Sequence, residues 1–183
     1  NVARVIMDFM RPHLEGLETP RRIRQTSLVP IIILTALGEE VDKVRAFDMG
    51  ADDYLTKPFG TGELLGRVKA VLRRARWSEA SVTNEKIVRE DIVADLERHE
   101  ISVRGTLLNL TPTEFNLLVY MMRHAGKALS HRSILQSVWG PEYGEEAEYL
   151  RVYMGKLRQK IEKDPLNPEY LLTERGIGYR FKG

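Results

Sequence analysis

TPTEFNLLVYMMRHAGKALSHRSILQSVWG, from Thr111 to Gly140, EYLRVYMGKLRQKIEKD, from Glu148 to Asp164, and YLLTERGIGYRF, from Tyr170 to Phe181, decide the fold of the second half of this 183-residue chain. Thr111 can cap a helix, Pro112 suits its first turn, and Glu114, three residues after the cap, closes a capping box. The pattern predicts a helix from there to about His124, stopped by Gly126. A second is expected over Arg132 to Trp139, ended by Gly140 and Pro141. A third runs from about Glu146 to Lys163, ended by Asp164 and Pro165. Tyr170 to Phe181 reads as a hairpin, two β-prone arms around Gly176 and Gly178. Upstream, Ile87 to Leu96 and Ile101 to Leu110 alternate like antiparallel hairpins, the second with a turn at Arg104, Gly105 and Thr106. Strands, three helices and a closing hairpin describe a winged helix-turn-helix.

At about 100° per residue, the third helix gathers Leu150, Met154, Leu157 and Ile161 in one stripe, with Tyr153 at its edge. That stripe is the expected buried side. The opposite arc carries Arg151, Val152, Gly155, Lys156, Arg158 and Gln159, with Lys160 on its flank. Guanidinium and amide groups there can pair with guanine and adenine edges or with phosphates. Gly155 costs roughly 1 kcal/mol of helix propensity, which favours a need for close backbone approach, although packing could also explain it. Taken alone, the helix reads as an ordinary amphipathic surface helix. A preceding helix joined by a short turn, and a hairpin with Arg175 at its tip and Arg180 and Lys182 beyond, turn the reading toward DNA. Charge supports it, since residues 149 to 182 hold eight Lys/Arg against four Asp/Glu, whereas residues 79 to 100 hold three against seven. His99, His124 and His131 are scattered without metal spacing and read as surface or capping residues.

The first half alternates strands with helices. Val2 to Met7 and Pro30 to Thr35 are apolar, β-branched and short, as strands of a buried parallel sheet are. Glu40 to Met49 places Val41, Val44 and Phe47 at helical spacing, and Glu63 to Arg74 puts Leu64, Leu65, Val68, Val71 and Leu72 on one face. This order implies a doubly wound α/β sheet. The polar, aperiodic RWSEASVTNE segment reads as a linker, giving domains at 1–75 and 86–183 with 76–85 between them. Without cysteine the chain has no disulfide, thiolate zinc site or cysteine nucleophile. The longest apolar run, Val29 to Leu34, is far short of the roughly 20 residues of a membrane span. No signal peptide is legible at the N-terminus, so a cytoplasmic location is expected. The chain starts with Asn1 rather than Met, and reads as a fragment or processed product.

Three segments of the second half, LTPTEFNLL (Leu110 to Leu118), LRQKIE (Leu157 to Glu162) and RGIGYRF (Arg175 to Phe181), together with GADDYLTKPF (Gly50 to Phe59) in the first, resemble the OmpR/PhoB family of two-component response regulators over essentially the whole chain. VWGPEYGEEAEYLRVYMGKLRQKIE and KPFGTGEL look most like the branch controlling a high-affinity potassium-uptake operon. The resemblance implies a receiver followed by a winged-helix DNA-binding domain. It makes Asp8 the phosphoacceptor, at the carboxyl edge of a parallel sheet where such folds place ligands, and a carboxylate able to attack phosphorus. Lys57 would pair with the phosphoryl oxygens, Thr35 would hydrogen-bond them, and Tyr54 resembles the switch aromatic that turns inward. Lys57-Pro58 is a candidate cis peptide. A homodimer is implied, through Lys43 with Glu63, Asp53 with Arg67 and Asp52 with Lys69 across a two-fold axis. The implied partners are a sensor histidine kinase, promoter direct repeats met by Arg151, Lys156, Arg158, Lys160 and Arg175, and RNA polymerase at the Gly140 to Glu148 loop.

One departure from the family concerns the start. A complete receiver opens with two further strand–helix units, roughly forty to fifty residues at typical lengths, and an acidic pair that helps bind Mg²⁺. With Asp8 as its only recognisable carboxylate, the Mg²⁺ site is expected to be incomplete, phosphorylation of this chain inefficient, and the sheet unstable or rearranged. A rival reading is a phosphorylation-independent adaptor whose winged helix binds protein. An enzyme is not expected, because no paired carboxylates, metal cluster or nucleophile triad appears.

Overall fold

A computed structural model describes residues 5–9, 14–36, 47–80 and 85–183, and divides the chain into two compact units, Asn1–Ala75 and Arg76–Gly183. In the first, β1 (Val5–Phe9), β2 (Ile31–Thr35) and β3 (Asp53–Thr56) form a parallel sheet in the order β1-β2-β3. The central strand has to be apolar on both faces, and Ile31, Ile32 and Ile33 are all buried. The strands keep sequential order and unbroken parallel register, so the expected rearrangement of this sheet is not seen among the described residues. Helices α1 (Leu14–Thr26) and α2 (Thr61–Ala80) flank β2 and β3 in sequence. Residues 76–80, expected in the linker, belong to the last turns of α2. Val71 and Ala70 are buried, but Leu65, placed on the apolar face by periodicity, is half exposed. Of the segment expected as a helix over Glu40 to Met49, the part before Phe47 lies outside the described residues.

The second unit opens with an antiparallel sheet of β4 (Lys86–Arg89), β5 (Ile92–Asp95), β6 (Glu100–Val103) and β7 (Thr106–Leu107). Its alternation puts Ile92, Ala94, Ile101 and Val103 inside. Three helices follow, α3 (Pro112–Arg123), α4 (His131–Val138) and α5 (Ala147–Ile161). The capping box at Thr111 is complete: its hydroxyl accepts from the Glu114 amide and the Glu114 carboxylate accepts from the Thr111 amide. α5 buries Tyr149 in addition to Leu150, Tyr153, Met154, Leu157 and Ile161. Tyr153 meets Trp139 edge-on at 5.2 Å.

The closing hairpin, β9 (Leu171–Glu174) and β10 (Gly178–Phe181), gains a third strand that periodicity did not reveal, β8 (Ala128–Ser130), in the order β8-β10-β9. β8 is only three residues long and sits between two helices, too short to show alternation. Gly178 makes the closure possible, since a Cβ there would stand 2.2 Å from the Leu129 carbonyl oxygen. Among the described residues no helix is long and apolar enough to cross a membrane.

Candidate phosphoryl site and nucleic-acid interface

Parallel strands in neighbouring register bring their carboxyl ends to one edge, and Asp8, Thr35 and Lys57 meet there. Asp8 lies opposite Leu34, one residue before the pair Phe9 and Thr35, and Thr35 lies opposite Thr56. The Lys57 ammonium donates to both Asp8 carboxylate oxygens, at 2.8 and 2.7 Å, while its amide donates to the Thr35 carbonyl at 2.7 Å. Lys57-Pro58 is cis. The Asp8 side chain is 47% exposed and can be reached from solvent; Thr35 is buried at the end of β2. Tyr54 is turned inward, 5% exposed, with its ring edge-on to Phe47 at 5.6 Å. The arrangement offers a nucleophilic carboxylate with a cation held beside it to receive the charge of an incoming phosphoryl group. Among the described residues no three His, Cys, Asp or Glu gather as a metal site. Among the described residues Asp8 is the carboxylate at this edge, and one carboxylate does not make the octahedral oxygen cage Mg²⁺ demands.

The residues assigned to a two-fold contact fare differently. Asp52 and Asp53 are 1% and 0% exposed. Asp52 pairs with Arg24 at 2.5 Å, not with Lys69, and also accepts from the Ile31 amide at 2.9 Å. Arg24 in turn donates to the Gly50 and Val29 carbonyls, which ties the end of α1 to the starts of β2 and β3. Asp53 accepts from Arg67 of the same chain at 3.1 Å and from the Tyr54 amide. Both carboxylates are bonded inside the first unit, where the expectation had them reaching a second copy. Burial decides the matter, because a desolvated carboxylate takes the nearest cation. Glu63 bridges to Arg67 one turn away at 3.6 Å, and Lys69 is exposed. Lys43 lies outside the described residues.

On α5 the expected cations separate into two groups. Arg151 is exposed near the start of the helix, and Lys156 lies over the Tyr153 ring at 5.7 Å. Arg175 is exposed at the hairpin tip. Arg158 instead turns toward the hairpin: its guanidinium donates to the Leu171 carbonyl at 2.9 and 2.6 Å and to the Thr173 hydroxyl at 2.9 Å, and stands 5.8 Å from the Tyr179 ring. Lys160 turns toward α3, donating to the buried Glu114 carboxylate at 2.6 Å and to the Asn109 carbonyl at 2.9 Å. In this structure both side chains are engaged inside the second unit, by acceptors distant in sequence that lie within their reach. Arg180 and Lys182 are likewise paired, with Glu174 and Glu90.

Glu162, which sequence reasoning passed over, is the C-cap residue of α5 and 6% exposed. Its carboxylate accepts from the amides of Glu169, Tyr170 and Leu171. His99, read as a surface or capping residue, packs against Phe115 with ring centroids 3.5 Å apart and the planes tilted by 35°. Burial pushes its pKa from the usual 6.5 down to about 4. His124 caps α3 as expected, its Nδ1 lying 2.8 Å from the Tyr120 carbonyl.

Comparison with known proteins now bears on both sites. Residues 1–69 match the response regulator receiver domain, and residues 105–181 match the C-terminal domain of transcriptional regulatory proteins. The KDP operon transcriptional regulatory protein KdpE of Escherichia coli is 47% identical over 97% of this chain and 78% of its own length. The chain is a two-component response regulator of the OmpR/PhoB type. The sensory transduction protein RegX3 of Mycobacterium tuberculosis is 40% identical to this regulator over 98% of the chain and 79% of its own length. The crystal structure of DrrB, an OmpR/PhoB homologue of Thermotoga maritima, matches with a TM-score of 0.50 at 30% identity, over 100% of this chain and 81% of its own. The response regulator thus joins a receiver, whose kind carries phosphotransfer chemistry and typically uses Mg²⁺, to a DNA-binding winged helix.

Proposed function

We propose that the regulator is switched by phosphorylation of Asp8 and then binds promoter direct repeats as a homodimer. The observation that carries this reading is the Asp8–Lys57 pair at the carboxyl edge of the parallel sheet. A sensor histidine kinase presents a phosphoryl group; an Asp8 oxygen attacks phosphorus, the bond to the donor nitrogen breaks, and an acyl phosphate results. Lys57, released from the carboxylate, pairs with the phosphoryl oxygens. Asp8 would be one ligand of a Mg²⁺ ion whose other ligands lie outside the described residues, and the ion would supply neutralisation of the phosphoryl charge. In the dimer the second subunit meets its repeat at a high effective concentration, and this linked contact raises affinity.

On DNA, α5 enters the major groove with Arg151 and Lys156, and Arg175 at the hairpin tip reaches the adjacent minor groove. Glu63, Arg67 and Lys69 remain on the face proposed for the two-fold contact. The Gly140 to Glu148 loop meets RNA polymerase. It is acidic and ordered by its own chemistry, the Glu146 carboxylate accepting from the Gly144 and Glu145 amides. The target is a potassium-transport operon, a reading supported by the likeness to KdpE, and the regulator works in the cytoplasm.

The test is to incubate the full chain with Mg²⁺ and acetyl phosphate, and to measure by mass spectrometry a hydroxylamine-labile phosphoryl adduct in wild type and Asp8→Asn. Binding to a potassium-transport promoter fragment is then followed at two salt concentrations. The reading expects an adduct on Asp8 alone, tighter binding once it forms, and affinity that falls steeply with salt. An adduct unchanged by Asp8→Asn, or binding insensitive to both salt and phosphorylation, would sink it.

A further inference from the structure

Gly155 sits in the middle of α5, and nothing among the described residues accounts for it. A glycine in a helix interior destabilises the helix relative to alanine. Such a residue normally serves a left-handed backbone or a tight internal contact, and Gly155 has neither. Its backbone is helical, and a Cβ built on it would meet nothing within 4 Å. Packing within the second unit, left open as an explanation by the sequence, does not account for it among the described residues.

What Gly155 does have is neighbours on the outside. Arg151, Gly155 and Gln159 are all exposed and four residues apart, so they form one ridge along the outward face of the helix. The ridge carries a guanidinium and an amide on either side of a gap. Those groups bind guanine and adenine edges bidentately, and eight residues of helix separate them by about 12 Å. That span is roughly three to four base-pair steps at 3.4 Å each. Gly66 of α2 is also a helical glycine with open space around it. It lies one turn from both Glu63 and Lys69, on the face proposed for the two-fold contact.

We propose that Gly155 is the point where the backbone of α5 comes closest to the floor of the major groove, and that its missing side chain determines which base sequence the regulator reads. The proposal rests on the reading of α5 as the DNA-reading helix. With a Cβ the helix is held off by about the length of a carbon–carbon bond, ~1.5 Å. That takes hydrogen bonds from Arg151 and Gln159 beyond the distance at which they count. Contacts to phosphates, made by long flexible cations at the groove edge, survive the shift.

The experiment uses the full chain and a duplex that it selects in vitro from a random-sequence library. Wild type, Gly155→Ala and Gly155→Ser are compared by fluorescence anisotropy on that duplex and on a scrambled duplex of equal length, alongside thermal unfolding. Expected are an unfolding temperature for Gly155→Ala equal to or above that of wild type, and affinity for the selected duplex about tenfold lower or worse in both variants. Affinity for the scrambled duplex should be unchanged, and a repeated selection with Gly155→Ala should return a sequence altered at the centre of the half-site. Equal affinity and an unaltered selected sequence would overturn the proposal while leaving the DNA reading standing. Failure of wild type to select any duplex would overturn the DNA reading, and this proposal with it.

Discussion

The two ends of α5 use the same kinds of side chain for opposite purposes. Over its first two-thirds Arg151 stands exposed one turn before Gly155, and Lys156 lies along Tyr153. At its C-terminal end Arg158 is bound to the start of β9, Lys160 to the N-terminus of α3, and Glu162 to three amides of the returning chain. Arg104, from the turn between β6 and β7, donates to the Ile161 carbonyl and completes the fastening. A helix that must present groups to a groove has to be held at a fixed angle, and the fixing is done where the groups are not presented. Charge on a surface arc therefore does not announce a ligand; what matters is whether an acceptor from elsewhere in the chain comes within reach.

Removing Glu162 gives the sharpest break between the two ends. Glu162→Ala leaves the amides of Tyr170 and Leu171 buried without acceptors and is expected to destabilise the second unit by about 3–5 kcal/mol, read by urea unfolding. Next comes Glu114→Ala, which removes the Lys160 partner and one half of the capping box, for about 2–3 kcal/mol. A double-mutant cycle with Lys160→Met should show strong coupling, and its absence would return Lys160 to the DNA-facing group.

Acid tests the anchored side through His99, whose ring lies against Phe115 and whose Nε2 is buried without a hydrogen-bond partner. Its folded pKa, about 4, is below the ordinary 6.5, so the unfolded chain binds the extra proton. Its contribution is full above pH 6.5 and is lost as pH falls toward 4, a decline of about 2 kcal/mol after allowance for solvent. His99→Leu should flatten that part of the stability–pH curve. The smallest effect belongs to the outward end: Arg151→Ala should leave unfolding within about 0.5 kcal/mol of wild type while lowering duplex affinity about tenfold, or 1.4 kcal/mol. Were Arg151→Ala instead to destabilise the unit as much as Glu114→Ala, the division of the helix would collapse.

Much of the architecture was legible because it rests on local signals. The Thr111 capping box, the stop at Gly126, the apolar stripe of α5 and the β-branched run of β2 each declare themselves within a few residues. The meeting of Asp8, Thr35 and Lys57 at one sheet edge could be expected only through the family resemblance, which picked out the three residues from separate stretches of the sequence. What escaped depends on separation. Arg158 finds its carbonyl thirteen residues away, Lys160 its carboxylate forty-six away, and Asp52 its guanidinium twenty-eight away. Helical periodicity has no access to such distances. β8 escaped for another reason, since three residues cannot display a period of two.

Glu162 has one more consequence, for where this chain tolerates change. Its carboxylate joins the end of α5 directly to the start of β9, so the loop of residues 163–168 is closed at its neck by hydrogen bonds that do not depend on its length. Leu166, at 89% exposure, shows how little that loop leans on the body of the unit. Closing a longer loop costs only about 0.6 kcal/mol per doubling. Insertions, a reporter fluorophore or a protease site can therefore be accommodated there with the hairpin still in its place, making this short turn a natural position for an engineer's label.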